Sequence, residues 1–282
     1  MRFDFQARRN IKNNAMLSLS SGVAALGLML PIWILYTAVE RGIKTFNLDI
    51  FTKMTPPPDA AGGLLNAIVG SFLMVGLATL AAAPIGVMTG VYLSEYGQKS
   101  KVAATVRFVN DILLSAPSIV VGLFVYTIIV IPTRHFSGYA GIIALVIIAV
   151  PIIVRATENI LRLIPDALRE GSYALGSSKR QTILRVCLPA ARNGILTGVL
   201  LSFARISGET APLLFTALNN QFYSTNLNQP MANLPVVIFQ FAMSPYESWQ
   251  SLAWTGASLI TVYVVVINLI SRIMLTQRGV RI

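Results

Sequence analysis

Six long apolar stretches separated by polar segments dominate the pattern of the chain. A helix needs roughly 20 apolar residues to cross a bilayer, so this pattern predicts six membrane-spanning helices. The second stretch is longer than one span needs and contains Pro84, which predicts a kinked or tilted helix. The spans are predicted at about Ala15–Val39, within Leu64–Leu93, and at about Ile112–Ile131, Tyr139–Val154, Ile195–Ala217 and Trp249–Ile270.

Composition supports the same interpretation. The chain has 282 residues, of which 55% are hydrophobic and 12% charged, and its mean hydropathy is +0.68. This is too apolar for a soluble domain, so we predict an all-α integral membrane protein. We divide it into residues 1–63 (N-terminal tail, first span and external loop), 64–274 (transmembrane core with a cytoplasmic loop at 155–192) and 275–282 (C-terminal tail).

The basic residues are distributed unevenly. The net charge is +11, and 17 of the 22 lysines and arginines fall in the two termini and two of the inter-span loops, while the stretch 218–248 has none. The positive-inside rule therefore predicts that both termini are cytoplasmic. Nucleic-acid binding is disfavoured, because these residues are split among short loops without a base-reading motif. The first apolar run is too long for a cleavable signal peptide and predicts a retained span.

One long basic loop, residues 165–189, has the pattern of a helix pair. Gly176 is placed to end the first helix as a C′ glycine. Ser178 and Gln181 form a capping-box signature for a second helix, which Pro189 is expected to stop.

Apolar residues recur at near-helical spacing in and before the first of these helices, at Ile164, Leu168 and Leu175. One face of the helix is therefore predicted to be apolar, with basic side chains directed outward. An amphipathic helix pair of this kind suits a groove on a soluble partner.

Two charged residues, Arg205 and Glu209, lie inside the fifth predicted span. Counting ~1.5 Å per residue from Asn193 places Arg205 ~18 Å into the membrane, where a charge costs ~2.5–3.5 kcal/mol. Their i, i+4 spacing puts both on one helix face. One hypothesis is that Arg205 binds a tetrahedral oxyanion and that Glu209 holds Arg205 between transport events or accepts a hydrogen bond from a protonated oxyanion. The alternative is a structural ion pair that pins helices together.

The chain contains no G-x-x-x-x-G-K-[ST] phosphate-binding loop, and it has one cysteine and one histidine. We therefore predict no enzymatic activity, no metal site and no bound cofactor in this polypeptide. If ATP is used, it is used by a separate chain.

The long loop resembles the EAA loop of ABC-importer permease subunits. Glu170, Gly176, Leu188 and Pro189 match the family's motif, Val186 replaces its isoleucine, and two small residues stand where the family has alanines after the glutamate. The resemblance implies a type I ABC-importer permease fold and implies that this loop docks on a cytoplasmic ATPase.

Longer segments, at 55–58, 110–126 and 204–222, are similar to the permease subunits of phosphate ABC importers. This resemblance implies phosphate as cargo and a bacterial inner membrane, where lipid surrounds the spans. It also implies a homologous second permease, an ATP-using ABC ATPase dimer and a periplasmic phosphate-binding protein. The family's phosphate path carries over to Arg205 and Glu209. Two alternatives stay open: a permease for molybdate or sulfate, and an ATP-independent channel or secondary transporter.

Overall fold

The computed structural model describes residues 2–97 and 100–276, and their side chains from 9 to 97 and from 100 to 273. The described residues are mainly helical and contain no strand. The predicted C-terminal tail lies outside them from residue 277 onward. The helices are α1 Arg2–Lys44, α2 Leu65–Val91, α3 Lys101–Ser115, α4 Ser118–Val125, α5 Ile131–Thr133, α6 Gly138–Arg162, α7 Asp166–Ala174, α8 Lys179–Thr182, α9 Leu188–Ser207, α10 Ala211–Leu214, α11 Leu234–Ala242 and α12 Glu247–Thr276.

Five helical segments are long and apolar enough to cross a membrane, and a bent pair of helices makes six if the pair counts as one span. The prediction of an all-α, multi-pass membrane protein is therefore confirmed. The five straight segments are Arg9–Lys44, Leu65–Tyr96, Gly138–Arg162, Lys179–Ser207 and Glu247–Ile273.

The third predicted span is the bent pair. The helical segment Lys101–Ser115 meets Ser118–Thr133 at 104°. Ala116, between them, is extended with ψ 135°, because the ring of Pro117 disfavours the helical region for the residue before it. The prediction of one continuous helix over Ile112–Ile131 is wrong for this reason.

The fifth span begins earlier than predicted and passes through Pro189. A π-helical turn at Ile183–Cys187 joins α8 to α9, and the N–H of Leu188 bonds to the carbonyl of Ile183, five residues back. Pro189 lies directly after this π turn, in the first turn of α9. The prediction that Pro189 stops the helix is wrong.

The same span also ends earlier than predicted. Helix α9 ends at Ser207, Gly208 caps it, and the short α10 follows after a break. The predicted span Ile195–Ala217 therefore covers two helices.

The centre of the molecule is a bundle of α2, α6 and α9. Small residues allow the close approach: a Cβ on Gly86 would lie 2.7 Å from Ile153, and one on Gly198 would lie 2.6 Å from Ala156. Helix α2 runs parallel to α6, and α9 runs antiparallel to it. Helix α1 packs beside this bundle against α12, where Ser258 Oγ donates to Ala38 O at 2.5 Å.

Candidate functional site

We call the loop 165–189 the coupling segment. Its first helix ends at the glycine, as predicted. Gly176 has φ +82°. Its N–H donates to Tyr173 O at 2.9 Å, and the N–H of Ser177 donates to Ser172 O at 3.1 Å. This is a Schellman motif, which satisfies the last carbonyls of α7.

The second half begins with the predicted capping box. The N–H of Ser178 donates to Gln181 Oε1 at 2.9 Å, and the N–H of Gln181 donates to Ser178 Oγ at 3.4 Å. A contact that the sequence did not reveal joins the two halves: the hydroxyls of Ser172 and Thr182 lie 2.9 Å apart and are buried. The predicted helix–glycine–helix arrangement is therefore present, with the predicted caps at the end of α7 and the start of α8.

The predicted docking residues do not all face outward. Glu170, Gly176 and Pro189 are exposed, whereas Leu188 is half-buried and packs beside the cluster that contains Leu161 and Cys187. The three exposed residues therefore lie on α7, in the glycine turn and at the start of α9.

The apolar residues of the segment also divide. Ile164 is buried, Leu168 is 48% exposed and Leu175 is 89% exposed. They do not form one buried face. Leu175 instead projects from the turn beside Gly176, so the segment offers an apolar contact to whatever covers it.

An ion pair that the sequence analysis missed fixes α7 to the membrane-spanning helices. Arg169 NH2 lies 2.8 Å from Glu95 Oε1, and Arg169 Nε lies 3.4 Å from Glu95 Oε2. The same guanidinium donates to Ile164 O at 2.6 Å and to Leu161 O at 2.9 Å. Hydrogen bonding to Glu95 raises the pKa of Arg169, although burial acts against this, so the guanidinium stays charged at any physiological pH.

A second buried carboxylate lies near the cytoplasmic end predicted for α6. Glu158, only 2% exposed, accepts from Arg107 Nε at 2.7 Å and from Arg162 NH2 at 2.5 Å. Arg107 NH2 also donates to Leu93 O at 2.7 Å. The i, i+4 spacing of Glu158 and Arg162 was the signal in the sequence that could have revealed this cluster.

Arg205 and Glu209, which we call the mid-span pair, lie at the break after α9. Arg205 Nε and Glu209 Oε1 are 3.9 Å apart, too far for a hydrogen bond. Arg205 is in the last turn of the helix, but Glu209 lies beyond its end, so the prediction of one helix face is wrong. The Arg205 side chain is 60% exposed and that of Glu209 is 14% exposed.

The depth of Arg205 follows from its neighbours. Ser202 Oγ, one turn earlier in α9, donates to Ala149 O at 3.3 Å. Ala149 lies close to the middle of α6, which has 25 residues. Arg205 is ~4.5 Å further along the axis. It therefore lies near the middle of the bundle, as the residue count predicts.

An uncharged polar network lies on the side of the molecule that is predicted to be external. Asn66 Nδ2 donates to Asn220 O at 2.8 Å and to Thr55 Oγ1 at 2.9 Å. Trp249 Nε1 donates to Pro56 O at 3.2 Å. Asn66 of α2 thus joins Thr55 to the stretch 219–245, which contains α11, and Trp249 of α12 holds Pro56.

The relatives of the chain agree with this architecture. The family described as binding-protein-dependent transport system inner membrane component matches residues 82–277, which include the coupling segment and the mid-span pair. The chain is 56% identical over 274 residues to the phosphate transport system permease protein PstA of Yersinia pestis, covering 97% of this chain and 93% of the relative. The chain belongs to the PstA permeases of this transport family.

Other PstA permeases are similar over almost their whole length. The Haemophilus influenzae protein is 55% identical over 94% of each chain. PstA 1 of Mycobacterium tuberculosis strain H37Rv is 37% identical, with 93% of this permease and 87% of the relative covered. The family resemblance stated from the sequence is confirmed.

Solved structures of ABC transporters share the fold of this permease. A chain of the inward-facing MetNI methionine ABC transporter matches with a TM-score of 0.60 at 22% identity, covering 74% of this chain and 94% of that one. A chain of a bacterial alginate ABC transporter matches with a TM-score of 0.62 at 15% identity, covering 96% of each. The predicted type I importer permease fold is confirmed. The cytoplasmic location of both termini stays a prediction.

Proposed function

We propose that this chain is one permease subunit of an ATP-driven importer of inorganic phosphate in a bacterial inner membrane. The observation that carries the proposal is 51–56% identity to five relatives named as phosphate transport permeases, over nearly the whole chain. The range matched by the family, residues 82–277, contains the coupling segment as well as the bundle. The permease forms half of the translocation path, and a homologous second permease forms the other half.

The coupling segment is the site for a cytoplasmic ABC ATPase dimer. Glu170 and Leu175 are exposed on it, and the Schellman turn at Gly176 fixes their relative position. ATP is bound and hydrolysed by those partner chains, and this permease binds no cofactor of its own. A periplasmic phosphate-binding protein delivers the cargo on the opposite side, and membrane lipid covers the remaining apolar surface. Nucleic acid is not a partner.

The mid-span pair supplies a binding group for the anion. Since Arg205 lies 3.9 Å from Glu209 and is largely exposed, its planar guanidinium has free donors for two oxygens of phosphate. Glu209 keeps the arginine in place when no anion is bound. It also accepts a hydrogen bond from hydrogen phosphate, which carries a proton, whereas sulfate does not.

Uptake by the complete transporter reconstituted in vesicles tests this proposal. We expect Arg205→Ala to lower the initial rate of labelled phosphate uptake at least tenfold without loss of assembly. Arg155→Ala is the matched control, since Arg155 and Asp111 form an exposed pair of almost equal length, 3.8 Å. Equal rates in Arg205→Ala and the unaltered complex would contradict the role of Arg205.

Competition experiments test the cargo. Excess sulfate or molybdate is expected to leave phosphate uptake by the unaltered complex nearly unchanged. Glu209→Gln is expected to reduce this discrimination. Preferred uptake of sulfate or molybdate would identify a different oxyanion importer, and uptake without ATP would identify a channel or secondary transporter.

A further inference from the structure

One side chain of α7 reaches the ends of both α2 and α6. Within α7, all of which the structure describes, Ser172 is the only buried residue, and its hydroxyl contacts Thr182 of the same coupling segment. Arg169 is different: only 16% of its side chain is exposed, and it reaches a carboxylate 74 residues away in sequence.

Three separate elements meet at the Arg169 guanidinium. Glu95, 5% exposed, belongs to the π turn Tyr92–Tyr96 at the end of α2. Leu161 O, in the last turn of α6, and Ile164 O, just after it, both accept hydrogen bonds from this guanidinium. Arg169 itself extends from α7. The Arg169 side chain therefore bonds to the ends of α2 and α6 and connects both to α7.

The geometry of this contact resists sliding. Both oxygens of Glu95 face nitrogens of Arg169, and a two-point contact between planar groups fixes orientation as well as distance. Neither charge is well hydrated, so separating them leaves a buried ion without a partner. A movement of α7 would therefore carry the ends of α2 and α6 with it.

We propose that Arg169 is a positioning residue that transmits movement of α7 to α2 and α6 through its pair with Glu95. The proposal rests on the proposed function, in which an ATPase moves the coupling segment. Glu170, next to Arg169, faces outward and is available to the partner, whereas Arg169 faces inward. Docking and transmission are thus divided between adjacent residues of one helix.

The chain offers a matched control for this role. The Arg107–Glu158 pair is also buried and also links distant segments, 51 residues apart, but it has no hydrogen bond to α7. A loss of stability from breaking a buried ion pair is expected at either site. A loss of transmission is expected only at Arg169.

The experiment uses the whole reconstituted transporter with its ATPase and binding protein. Arg169→Gln, Glu95→Gln and the double variant are compared with Arg107→Gln. Three quantities are measured: ATPase retained on purification, ATP hydrolysed with and without loaded binding protein, and phosphate taken up per ATP. We expect retention and unstimulated hydrolysis within about twofold of the unaltered complex. Phosphate taken up per ATP is expected to fall at least tenfold in either single variant at the Arg169–Glu95 pair.

Further outcomes separate transmission from simple damage. The double variant is expected to be no worse than either single one, because each single change already breaks the contact. Arg107→Gln is expected to keep the uptake per ATP of the unaltered complex. If Arg169→Gln fails to assemble, the ratio in Arg169→Lys decides, because lysine keeps the charge but has no two-point fork.

An unchanged ratio in the Arg169 variants, or an equal fall in Arg107→Gln, would overturn the inference. An unaltered complex that moves no phosphate would instead contradict the proposed function. The two failures are therefore distinguishable.

Discussion

The Arg169–Glu95 pair and the mid-span pair join the same two residue types in opposite ways. The first has contacts of 2.8 and 3.4 Å, with side chains 16% and 5% exposed. The second has one contact of 3.9 Å, and its arginine is 60% exposed. A short, buried, two-point pair holds parts together, whereas a long, exposed one leaves its donors free for a ligand. The environment of the pair, more than its chemistry, determines which role it has.

The largest expected difference between the two pairs is in stability. Arg169→Ala leaves Glu95 buried without a partner and is expected to lower the free energy of unfolding by about 3–5 kcal/mol. Arg205→Ala breaks a pair that is already 3.9 Å apart, too long for a hydrogen bond, and is expected to cost less. Thermal unfolding of the purified complexes in detergent measures both. Equal losses of unfolding free energy would show that the two pairs contribute equally to stability.

A smaller difference is expected from keeping the charge and changing the shape. Arg205→Lys is expected to lower the rate of phosphate uptake about tenfold, since an ammonium binds an oxyanion at one point and not two. Initial rates over a range of phosphate concentrations check this, with Arg155→Lys as control. Full activity of Arg205→Lys would mean that charge alone is sufficient at the mid-span site.

Alanine substitutions at two glycines of the coupling segment are expected to have opposite effects on stability. A Cβ on either Gly171 or Gly176 would meet nothing within 4 Å, but Gly176 has φ +82°. Gly176→Ala is therefore expected to cost about 1–2 kcal/mol of backbone strain and to weaken ATPase retention. Gly171→Ala, within α7, is expected to stabilise the permease by about 0.5–1 kcal/mol. Opposite shifts in unfolding temperature are the diagnostic result.

The smallest expected effect is at the second capping point. Ser178→Ala removes the side-chain acceptor for the N–H of Gln181 and is expected to cost about 1 kcal/mol. Ser178→Asp keeps an acceptor there and is expected to restore most of this loss. A similar unfolding temperature for the alanine and aspartate variants would show that the cap contributes little.

The features that the sequence predicted well are those that depend on near neighbours. Gly176 and the Ser178–Gln181 box are set by residues three or four positions apart, and the straight spans by uninterrupted apolar runs. The bend at Pro117 was missed because Pro117 lies inside a largely apolar run that looks continuous. The predicted fifth span passed through Gly208 because apolar residues resume soon after it.

The Arg169–Glu95 pair was missed for a different reason. Its members are 74 residues apart in the chain, and only the packing of α2 against α6 brings them together. Hydropathy does not reveal which segments at the ends of the spans meet.

The π turn at Ile183–Cys187 has one more consequence. Because it lets the helix continue past Pro189, the docking end and Arg205 belong to one rod that extends from Lys179 to Ser207. The distance along it from Lys179 to Arg205 is ~39 Å. If this helix rotates as a rigid body about Lys179, a tilt of about 5° displaces Arg205 by ~3 Å, which is the length of a hydrogen bond. A small motion at the ATPase would thus be large enough to make or release an anion contact.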